Sequence, residues 1–513
     1  MSRKKTFLLV LLVGIILLGS AASAQLEDSP SPAVRGHDWM FETNNAWVSP
    51  SPSYHRLVLV ASDCDVNGDG YEDVLVSKRD FDNPGYMDSG KAWLFYGGPN
   101  GLPASPSRIF DPPYLNLNGF FGAAIACNGD VDGDGYDDIL IGQDNYESNL
   151  STLPDEGAVW LWLGDSAGPT AGYNWWARGN AYYGHFGFSL DFAGDVNNDS
   201  YDDIIVGSYR PDNNQVSHAY VWLGSASGLG ANGLPSNADW YASDPHPGVV
   251  AGNAFAYTVR GIGNVNGDQY DDVLVSAPSY DNGITDQGAV FVYYGSGTFD
   301  ADPNGTIANA DWMAASGQDS ARFAWAADGV GDVNNDTYDD LAVGAYYYDD
   351  PEASEGAVFV WLGSGTGLGA NGSPANADWM AESNFASGTF GYVVRGAGDV
   401  NNDDYDDILT TSYNFSAPGY PAPLAQAGGW FVWHGGPGGP GETGTPDNAD
   451  LAGYGIQAVG LLGREDVAAG DVNDDGLDDI FAASLLYDNG QEDEGAVFGY
   501  YSAFELFLPL AVK

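Results

Sequence analysis

The sequence predicts an all-β fold: a seven-bladed β-propeller of four-stranded blades, closed by the N-terminal strand completing the last blade. A nine-residue pattern rich in Asp and Asn recurs seven times in the 513 residues, with starts separated by 65, 65, 69, 68, 67 and 72 residues. Short segments of alternating apolar and aromatic residues, bounded by glycines, surround each copy and indicate strands rather than helices. The fourth segment of the repeat also occurs once before the first copy, which predicts how the ring closes.

Each repeat contains four candidate strands. A small-residue strand such as 186–191 precedes the Asp-rich pattern, and a compact apolar strand such as 139–141 follows it. The third strand is aromatic and alternating, as at 157–164, and the fourth carries an Ala-Asp-Trp motif, as at 238–240. Four strands repeated radially form the blades of a propeller.

Ring closure is indicated at the two ends of the repeat array. The fourth-strand motif appears as His37-Asp38-Trp39-Met40, whereas the seventh repeat ends after its third strand, at 495–501. The N-terminal strand is therefore expected to complete blade 7, which removes an exposed sheet edge.

The Asp-rich pattern predicts calcium-binding loops, up to seven in number and one in each repeat. Calcium takes six to eight oxygen ligands from carboxylates, carbonyls and water. Side chains at positions 1, 3, 5 and 9 and the carbonyl of position 7 supply such oxygens. The alternative, in which Asp and Asn cap the turn without metal, stays open. The candidate ligands, loop by loop, are Asp65, Asn67, Asp69, Tyr71 and Asp73; Asp130, Asp132, Asp134, Tyr136 and Asp138; Asp195, Asn197, Asp199, Tyr201 and Asp203; Asn264, Asn266, Asp268, Tyr270 and Asp272; Asp332, Asn334, Asp336, Tyr338 and Asp340; Asp399, Asn401, Asp403, Tyr405 and Asp407; and Asp471, Asn473, Asp475, Leu477 and Asp479.

These seven loops are not expected to bind calcium equally. Loop two has four carboxylates among its candidate ligands and should bind most tightly, whereas loop four begins with Asn264 and should bind most weakly. Position 6 is glycine only in loops one, two and seven, so the other loops must turn without it, which argues against full occupancy. Because the clustered carboxylates repel one another without metal, calcium is predicted to be chiefly structural.

A second charge pattern lies four residues before the loops of repeats three to six. The residues there are Asp191, Arg260, Asp328 and Arg395, on the strand predicted to line the central channel. Their alternating signs predict a belt of ion pairs between neighbouring blades.

Overall charge and the N-terminus bear on partners and location. With 16 basic and 71 acidic residues the net charge is -55, which makes nucleic acid and anionic membrane surfaces poor partners.

The N-terminus predicts a signal peptide over 1–24, from three basic residues, the apolar run 7–18 and Ala22-Ser23-Ala24. The protein is therefore expected to be secreted or on the cell surface, without a membrane span once the signal is cleaved. An uncleaved anchor remains the alternative. A short linker at 25–35, the propeller at 36–501 and an apolar tail at 502–513 complete the predicted domains. Such a location permits a disulfide between the two cysteines, Cys64 and Cys127, without requiring one.

The motifs resemble FG-GAP repeats, of the kind that form the N-terminal β-propeller of integrin α chains, and the chain looks like a bacterial-type secreted member. The resemblance rests on Phe-Gly before the loop, the loop itself, and Gly-Ala-Pro-like ends such as Ser276-Ala277-Pro278, and it covers residues 36–501. Repeat one departs from it with Arg56-Leu57, and repeat seven with Leu462-Gly463. It implies metal loops on the lower face of the disc and ligand recognition on the upper face.

No catalytic motif stands out from the repeats. The Gly-x-Ser-x-Gly match at 164–168 is a repeated turn with no helix after it. The sequence therefore predicts a non-enzymatic extracellular adhesion or ligand-binding module for a protein or glycan. A lectin-like carbohydrate binder and a hydrolase with a carboxylate site on the upper face are the alternatives, and the oligomeric state is open. The candidate recognition residues, in loops between second and third strands, are Tyr280, Tyr346, Tyr347, Tyr348 and Tyr413.

Overall fold

The structure is a computed structural model of the chain. It describes residues 33–35, 37–43, 58–148, 153–209, 216–244, 253–299, 304–416, 426–489 and 494–502. The predicted signal peptide and nearly all of the predicted apolar tail lie outside these residues.

Seven sheets form the blades, and each contains four antiparallel strands that are adjacent within the sheet. Blades 1 to 4 contain, in order, Val58–Ala61, Val74–Lys78, Lys91–Phe95 and Arg108–Phe110; Phe121–Ala126, Ile139–Gln143, Ala158–Trp162 and Trp175–Arg178; Phe186–Gly194, Asp203–Ser208, His218–Trp222 and Trp240–Ser243; and Val259–Gly261, Val273–Ala277, Ala289–Tyr293 and Trp312–Ala315. Blades 5 to 7 contain Phe323–Gly329, Leu341–Ala345, Ala357–Trp361 and Trp379–Glu382; Phe390–Gly396, Ile408–Ser412, Gly429–Trp433 and Leu451–Tyr454; and Leu462–Gly470, Asp479–Ser484, Ala496–Tyr500 and Trp39–Glu42. The predicted seven-bladed propeller is confirmed.

Blade 7 is closed by the N-terminal strand, as predicted. Trp39–Glu42 pairs antiparallel with Ala496–Tyr500, and Trp39 lies opposite Gly499. The Thr43 hydroxyl also donates to the carbonyl of Glu494, 451 residues later in the chain. The two ends of the repeat array are thus joined within one sheet.

Two blades carry an additional strand at their outer edge. Ala33–Arg35, at the end of the predicted linker, pairs parallel with the fourth strand of blade 6, and Gly305–Thr306 pairs in the same way with that of blade 3. The described helices are the 3₁₀ turns Pro235–Asn237 and Pro374–Asn376. In the described residues, no helix has the length and apolar character needed to span a membrane.

The core consists of seven apolar clusters, and each lies between two neighbouring blades. Third-strand tryptophans fill these interfaces: Trp160, Trp222 and Trp361 are at most 1% exposed. A fourth-strand tryptophan of one blade contacts a third-strand tryptophan of the next, as in Trp175–Trp222, with ring centroids 5.6 Å apart. The repeated tryptophans therefore pack blade on blade rather than forming a sugar platform.

Two further contacts fix the order of the blades. A disulfide joins Cys64 to Cys127, which links blade 1 to blade 2. In the central channel, Arg260 Nε lies 3.9 Å from Asp191 Oδ2 and 3.3 Å from Asp328 Oδ1. Arg395 continues the series, 3.9 Å from Asp328. The predicted ion-pair belt is therefore present.

The belt extends one blade further than the sequence indicated. Arg395 Nη2 lies 2.8 Å from Asp466 Oδ1 in blade 7. Arg395 lies opposite Leu409 on the second strand of blade 6, and the equivalent position in blade 7 is Ala468, opposite Phe481. Asp466 therefore reaches the belt from a position two residues earlier on its strand.

Candidate metal loops and the two mouths of the central channel

Each Asp-rich segment forms a tight turn between the first and second strands of its blade, on what we define as the lower face. In loop one the carboxylate of Asp65 accepts hydrogen bonds from the N–H groups of Asp69 and Gly70, and Asp69 accepts one from Tyr71. The same bonds recur in loops two, three, five, six and seven. The side chains of positions 1 and 5 therefore point to the inside of the turn, as a calcium loop requires.

The carboxylate at position 9 is completely buried in all seven loops. In loop two, Asp138 accepts hydrogen bonds from the N–H of Val131, at 2.9 Å, and from that of Gly164 after the third strand, at 2.8 Å. The corresponding bonds occur in loops one and three to six, whereas in loop seven Asn473 and Ser502 are the donors. Position 9 thus ties the loop to the third strand, and its role as a ligand stays a prediction.

Burial is the main cause that raises the pKa of these position-9 carboxyl groups to about 8, although the backbone N–H donors act against it. Neighbouring loop carboxylates raise their pKa further, as Asp132 and Asp130 do for Asp138. A buried anion of this kind is costly unless a positive charge stands near it.

An acid at position 8, present in every copy, links each loop to the preceding one. Asp137 Oδ2 accepts from the N–H of Asp65 at 2.7 Å, and the Asp137 N–H donates to the Asp65 carbonyl at 3.3 Å. The same pair of bonds joins Asp202 to Asp130, Asp271 to Asp195, Asp339 to Asn264, Asp406 to Asp332 and Asp478 to Asp399. At the closure, the Glu72 N–H donates to Asp471. Sequence reasoning missed this role, although the repeated acid was visible.

The loops offer oxygens that fit calcium. In loop two, one carboxylate oxygen each of Asp130, Asp132 and Asp134 lies within 4.8 Å of the others. Position-3 oxygens of loops two, three and five, on Asp132, Asn197 and Asn334, are buried and have no hydrogen-bond partner. Because an orphaned buried oxygen is costly, these atoms point to a cation as the missing partner.

Loops four and seven differ from this arrangement. In loop four, Asn266 Oδ1 already accepts the N–H of Asp268 at 2.9 Å, so its position-3 oxygen is satisfied without metal. In loop seven, Asn473 turns its amide toward Asp479, at 3.1 Å. These contacts agree with the predicted order, in which loop two binds most tightly and loop four most weakly, but the order itself stays a prediction.

The turn is made with or without glycine. The residue at position 6 has a positive φ when it is glycine, as at Gly70 and Gly135. It also has a positive φ when it is not: φ is +85° at Gln269 and +78° at Thr337. Holding a non-glycine residue there costs about 1–2 kcal/mol. The absence of glycine in four loops therefore strains the backbone but does not change its path.

The channel between the blades has one cavity toward each face. The lower cavity, of about 340 Å³, reaches Asp63, Asp406 and Asp478 near the loops. The upper cavity, of about 170 Å³, is lined by Tyr257 and Trp325. Both cavities touch Arg260, Arg395 and Asp466 of the belt, which thus separates an acidic lower mouth from an aromatic upper mouth.

Four aromatic side chains form an arc around the upper mouth: Phe188, Tyr257, Trp325 and Tyr392. Successive ring centroids are 5.2, 4.6 and 5.7 Å apart. Each follows the Phe-Gly or Phe-Ala pair of blades 3 to 6, so an alignment of the repeats could have found them, yet sequence reasoning missed this aromatic arc. Arg464 and Glu465 of blade 7 line the same cavity.

The predicted recognition tyrosines divide into two groups. Tyr346 packs on Trp325 of the aromatic arc, Tyr413 packs on Tyr392, and Tyr347 is 40% exposed beside Tyr346. The other two pack into the blades: Tyr280 contacts Phe291, and Tyr348 contacts Phe359. Only the first group adjoins the channel mouth.

Known proteins share this repeat. Residues 122–162, 186–222, 255–293 and 324–361 match the FG-GAP repeat. Integrin alpha-PS3 of Drosophila melanogaster is 27% identical over 228 residues, covering 40% of this chain and 19% of that protein. Integrin alpha-8 of Gallus gallus is 28% identical over 236 residues, covering 45% and 20%.

An enzyme carries the repeat as well. Phosphatidylinositol-glycan-specific phospholipase D of Bos taurus is 31% identical over 172 residues, which cover 31% of this chain and 20% of that protein. The matches with these three relatives thus span about a fifth of each relative's length.

Proposed function

We propose that this chain, an FG-GAP repeat protein with an integrin α-like β-propeller, acts outside the cell as a non-enzymatic adhesion or ligand-binding module, with calcium serving mainly to hold its lower loops. The integrin relatives favour a binding role. The ligand is an extracellular protein or a glycan, and it binds on the upper face.

The aromatic arc carries this proposal. Tyr257, Trp325 and Tyr392 are half-buried at the end of a channel that is otherwise polar, so part of each ring faces the cavity. Aromatic side chains with one free face provide large contact areas at low conformational cost, which is why they dominate binding surfaces. Arg464 of blade 7, whose guanidinium lies 5.5 Å from the Tyr413 ring centroid, supplies a charged group to orient a ligand.

Calcium in the lower loops is proposed as a support for this surface rather than as a reaction centre. The side chains at positions 1, 3 and 5 would hold the ion, and the ion would neutralise carboxylates that are packed together in each turn. Because the position-8 acids connect consecutive loops, ordering one loop also orders its neighbour.

The match to a phospholipase D supports the enzyme alternative, but only weakly. The shared segment covers 20% of that enzyme and consists of the repeat that integrins also carry. A repeat present in adhesion proteins and in an enzyme is more simply a binding unit than the catalytic unit of either.

Binding to a glycan array and to a panel of immobilised extracellular proteins tests the proposal. We expect a ligand whose binding is lost in Trp325→Ala and Tyr392→Ala but kept in Tyr114→Ala, a control residue that is 49% exposed and packs on Tyr146 and Trp160 of blade 2 rather than on the arc. Binding confined to glycans would select the lectin-like alternative. Equal binding by all variants, or turnover of a polysaccharide, ester or phosphodiester, would contradict the proposal.

A further inference from the structure

The outer edge of blade 1 lacks a covering segment that blades 2 to 6 have. In those five blades an extended segment pairs in parallel with the fourth strand on its outer side. In blades 2 to 5 it comes from the loop between the third and fourth strands of the next blade, and in blade 6 it is Ala33–Arg35. The central pairs are Ala177 with Gly233, Ala242 with Gly305, Ala314 with Gly372, Ala381 with Gly444 and Ala452 with Val34. Among the described residues no segment pairs with Arg108–Phe110 of blade 1 in this way.

The open edge results from a short loop in the neighbouring blade. The loop in the position to cover blade 1 belongs to blade 2 and has 12 residues, 163–174, whereas the loop 223–239 that covers blade 2 has 17. The shorter loop contacts the edge through the side chain of Arg108, whose guanidinium donates to the carbonyls of Pro169 and Thr170. The backbone of the edge strand is left uncovered.

Two backbone groups of this edge have no hydrogen-bond partner in the part of the chain that the structure describes. In blade 2 the Gly233 N–H donates to the Trp176 carbonyl at 2.9 Å, and the Arg178 N–H donates to the Gly233 carbonyl at 3.4 Å. The equivalent groups of blade 1, by their place along the fourth strand, are the carbonyl of Ile109 and the N–H of Asp111. Both are unpaired there. Unpaired groups of this kind are where a sheet accepts an additional strand.

Exposed apolar side chains accompany the open edge. Six of the eleven exposed large apolar side chains of the described residues lie between residues 86 and 117: Tyr86, Met87, Ile109, Tyr114, Leu115 and Leu117. Ile109, on the edge strand, is 51% exposed, and Leu117, in the loop after its upper end, is 61% exposed. The Asn118 N–H donates to the Met87 carbonyl at 2.9 Å, which brings Leu117 and Met87 together. Single exposed apolar residues are common, but such a concentration marks an interaction surface.

Blade 7 shows that an open edge alone does not produce this surface. Its fourth strand, Trp39–Glu42, also has no covering segment among the residues that the structure describes. None of its large apolar side chains, however, belongs to the exposed group. Blade 1 therefore combines an open edge with an exposed apolar surface, which the other blades do not do in their described parts.

We propose that the blade 1 flank, formed by Arg108–Phe110, Asp111, Leu117 and Met87, binds an extended, apolar and basic segment of a protein partner as a fifth strand. The segment runs parallel to Arg108–Phe110, because the covering segments of blades 2 to 6 all have that direction. Its backbone bonds to the Ile109 carbonyl and the Asp111 N–H, and its following residues reach Leu117 and Met87. Ala33–Arg35, with the sequence Ala-Val-Arg, is an apolar and basic covering strand of this type within the chain itself.

Charge distinguishes such a partner from a second copy of this chain. The net charge of the chain is -55, so two copies repel each other, whereas a segment with Lys or Arg is attracted. Asp88 directly follows Met87 in the flank, and the nearby Lys91 is already paired, with its Nζ 2.9 Å from Asp111 Oδ1. This interaction goes beyond the proposed function, since it does not involve the aromatic arc.

Selection from a phage-displayed library of random 12-residue peptides, with the mature chain in calcium as target, tests the proposal. We expect the selected peptides to be apolar and to carry more Lys and Arg than Asp and Glu. Their affinity, measured by fluorescence anisotropy, should fall at least about tenfold in Asp111→Pro, which removes the N–H that pairs with the segment. Asp111→Ala is the matched control: it loses the ion pair with Lys91 but keeps the N–H, so the affinity should change by less than about threefold.

A second pair of variants tests the apolar part of the flank. Ile109→Ser should weaken the same peptides by about tenfold, whereas Ile456→Ser, which is 45% exposed in the loop between blades 6 and 7, should leave their affinity unchanged. Because both side chains are about half exposed, neither variant should prevent folding.

Three results would overturn the proposal. The first is a library without binders, or with binders that are insensitive to Asp111→Pro and Ile109→Ser. The second is peptides lost in Trp325→Ala but not in Asp111→Pro, which would support the aromatic arc and not the flank. The third is dimerisation of the free chain that Ile109→Ser abolishes in analytical ultracentrifugation, which would make a second copy the occupant.

Discussion

The two mouths of the central channel differ in how closely the blades repeat one another. At the lower mouth seven loops repeat the same hydrogen bonds, from the position-1 carboxylate to the buried position-9 carboxylate, with small exceptions in loops four and seven. At the upper mouth the corresponding positions differ from blade to blade: Ala123 in blade 2, aromatic residues in blades 3 to 6 and Arg464 in blade 7. A contact that is repeated in every blade stabilises all blades alike. Side chains that differ from blade to blade instead make one part of the upper mouth chemically distinct from the rest. This difference agrees with the proposal that the lower face stabilises the fold and the upper face binds the ligand.

Removal of calcium should produce the largest effect, and it should act through the lower face. Each site saturated at a hundredfold excess over its Kd contributes about 2.7 kcal/mol to the free energy of unfolding, so several sites together should matter greatly. We expect EDTA to lower the melting temperature by more than about 10 °C, measured by differential scanning calorimetry. A melting temperature unchanged by chelator would remove the structural role of the metal.

The position-9 carboxylate should matter even without metal. Asp340→Ala leaves the N–H groups of Val333 and Gly363 without their acceptor, in a site that is 0% exposed. The free energy of unfolding in EDTA should fall by about 3 kcal/mol, measured by urea denaturation. Asp336→Ala, at the exposed position 5 of the same loop, is the control and should change it by less than about 0.5 kcal/mol. A loss from Asp340→Ala as small as that expected of Asp336→Ala would mean that position 9 acts only as a ligand.

The belt between the two mouths should make stability depend on pH. Burial raises the pKa of Asp191 to about 7, although Arg260 acts against it. The folded protein therefore keeps a proton that the unfolded chain has released, and stability present below about pH 4 is lost as the pH rises toward 7.

In Asp191→Asn this loss should disappear, while Arg260 keeps Asp328 as its partner. Relative to the variant, the wild type should lose about 2 kcal/mol between pH 4 and pH 7, measured as urea midpoints at constant calcium. If the stability difference between the wild type and Asp191→Asn is the same at pH 4 and pH 7, channel water screens Asp191 fully.

The smallest effect concerns backbone strain in the lower loops. Thr337 holds a φ of +78°, a conformation that a β-branched residue rarely adopts. Thr337→Gly should raise the free energy of unfolding by about 1 kcal/mol, and the reverse change Gly135→Thr in loop two should lower it by a similar amount. Equal stability of Thr337→Gly and the wild type in calcium would indicate that metal binding dictates the turn regardless of residue type.

Much of the fold could be predicted from the sequence because the repeats reinforce one another. Seven copies in register identified the strands, the closure by Trp39–Glu42 and the ion pairs of Arg260 and Arg395. Asp466 was missed because it reaches the belt from a different strand position than its counterparts, and pattern matching assumes a constant offset.

The candidate site was only partly predictable, since identical sequence positions serve different contacts. Tyr346 and Tyr348 lie in the same loop, but one packs at the channel mouth and the other against Phe359 inside the blade. The sequence identifies the oxygens of a metal loop but not that the position-9 carboxylate is already held by two backbone N–H groups. Such contacts depend on neighbouring blades, which a single repeat does not reveal.

The closing strand has a consequence for the time course of folding. The partner of Trp39–Glu42 is Ala496–Tyr500, so this contact forms only after nearly the whole chain is available, and closing so long a segment carries a large entropic cost. During synthesis the first strand must wait while six other sheets assemble. Ring closure is then expected to be the late and slow event, which converts a chain of separate blades into one cooperative unit.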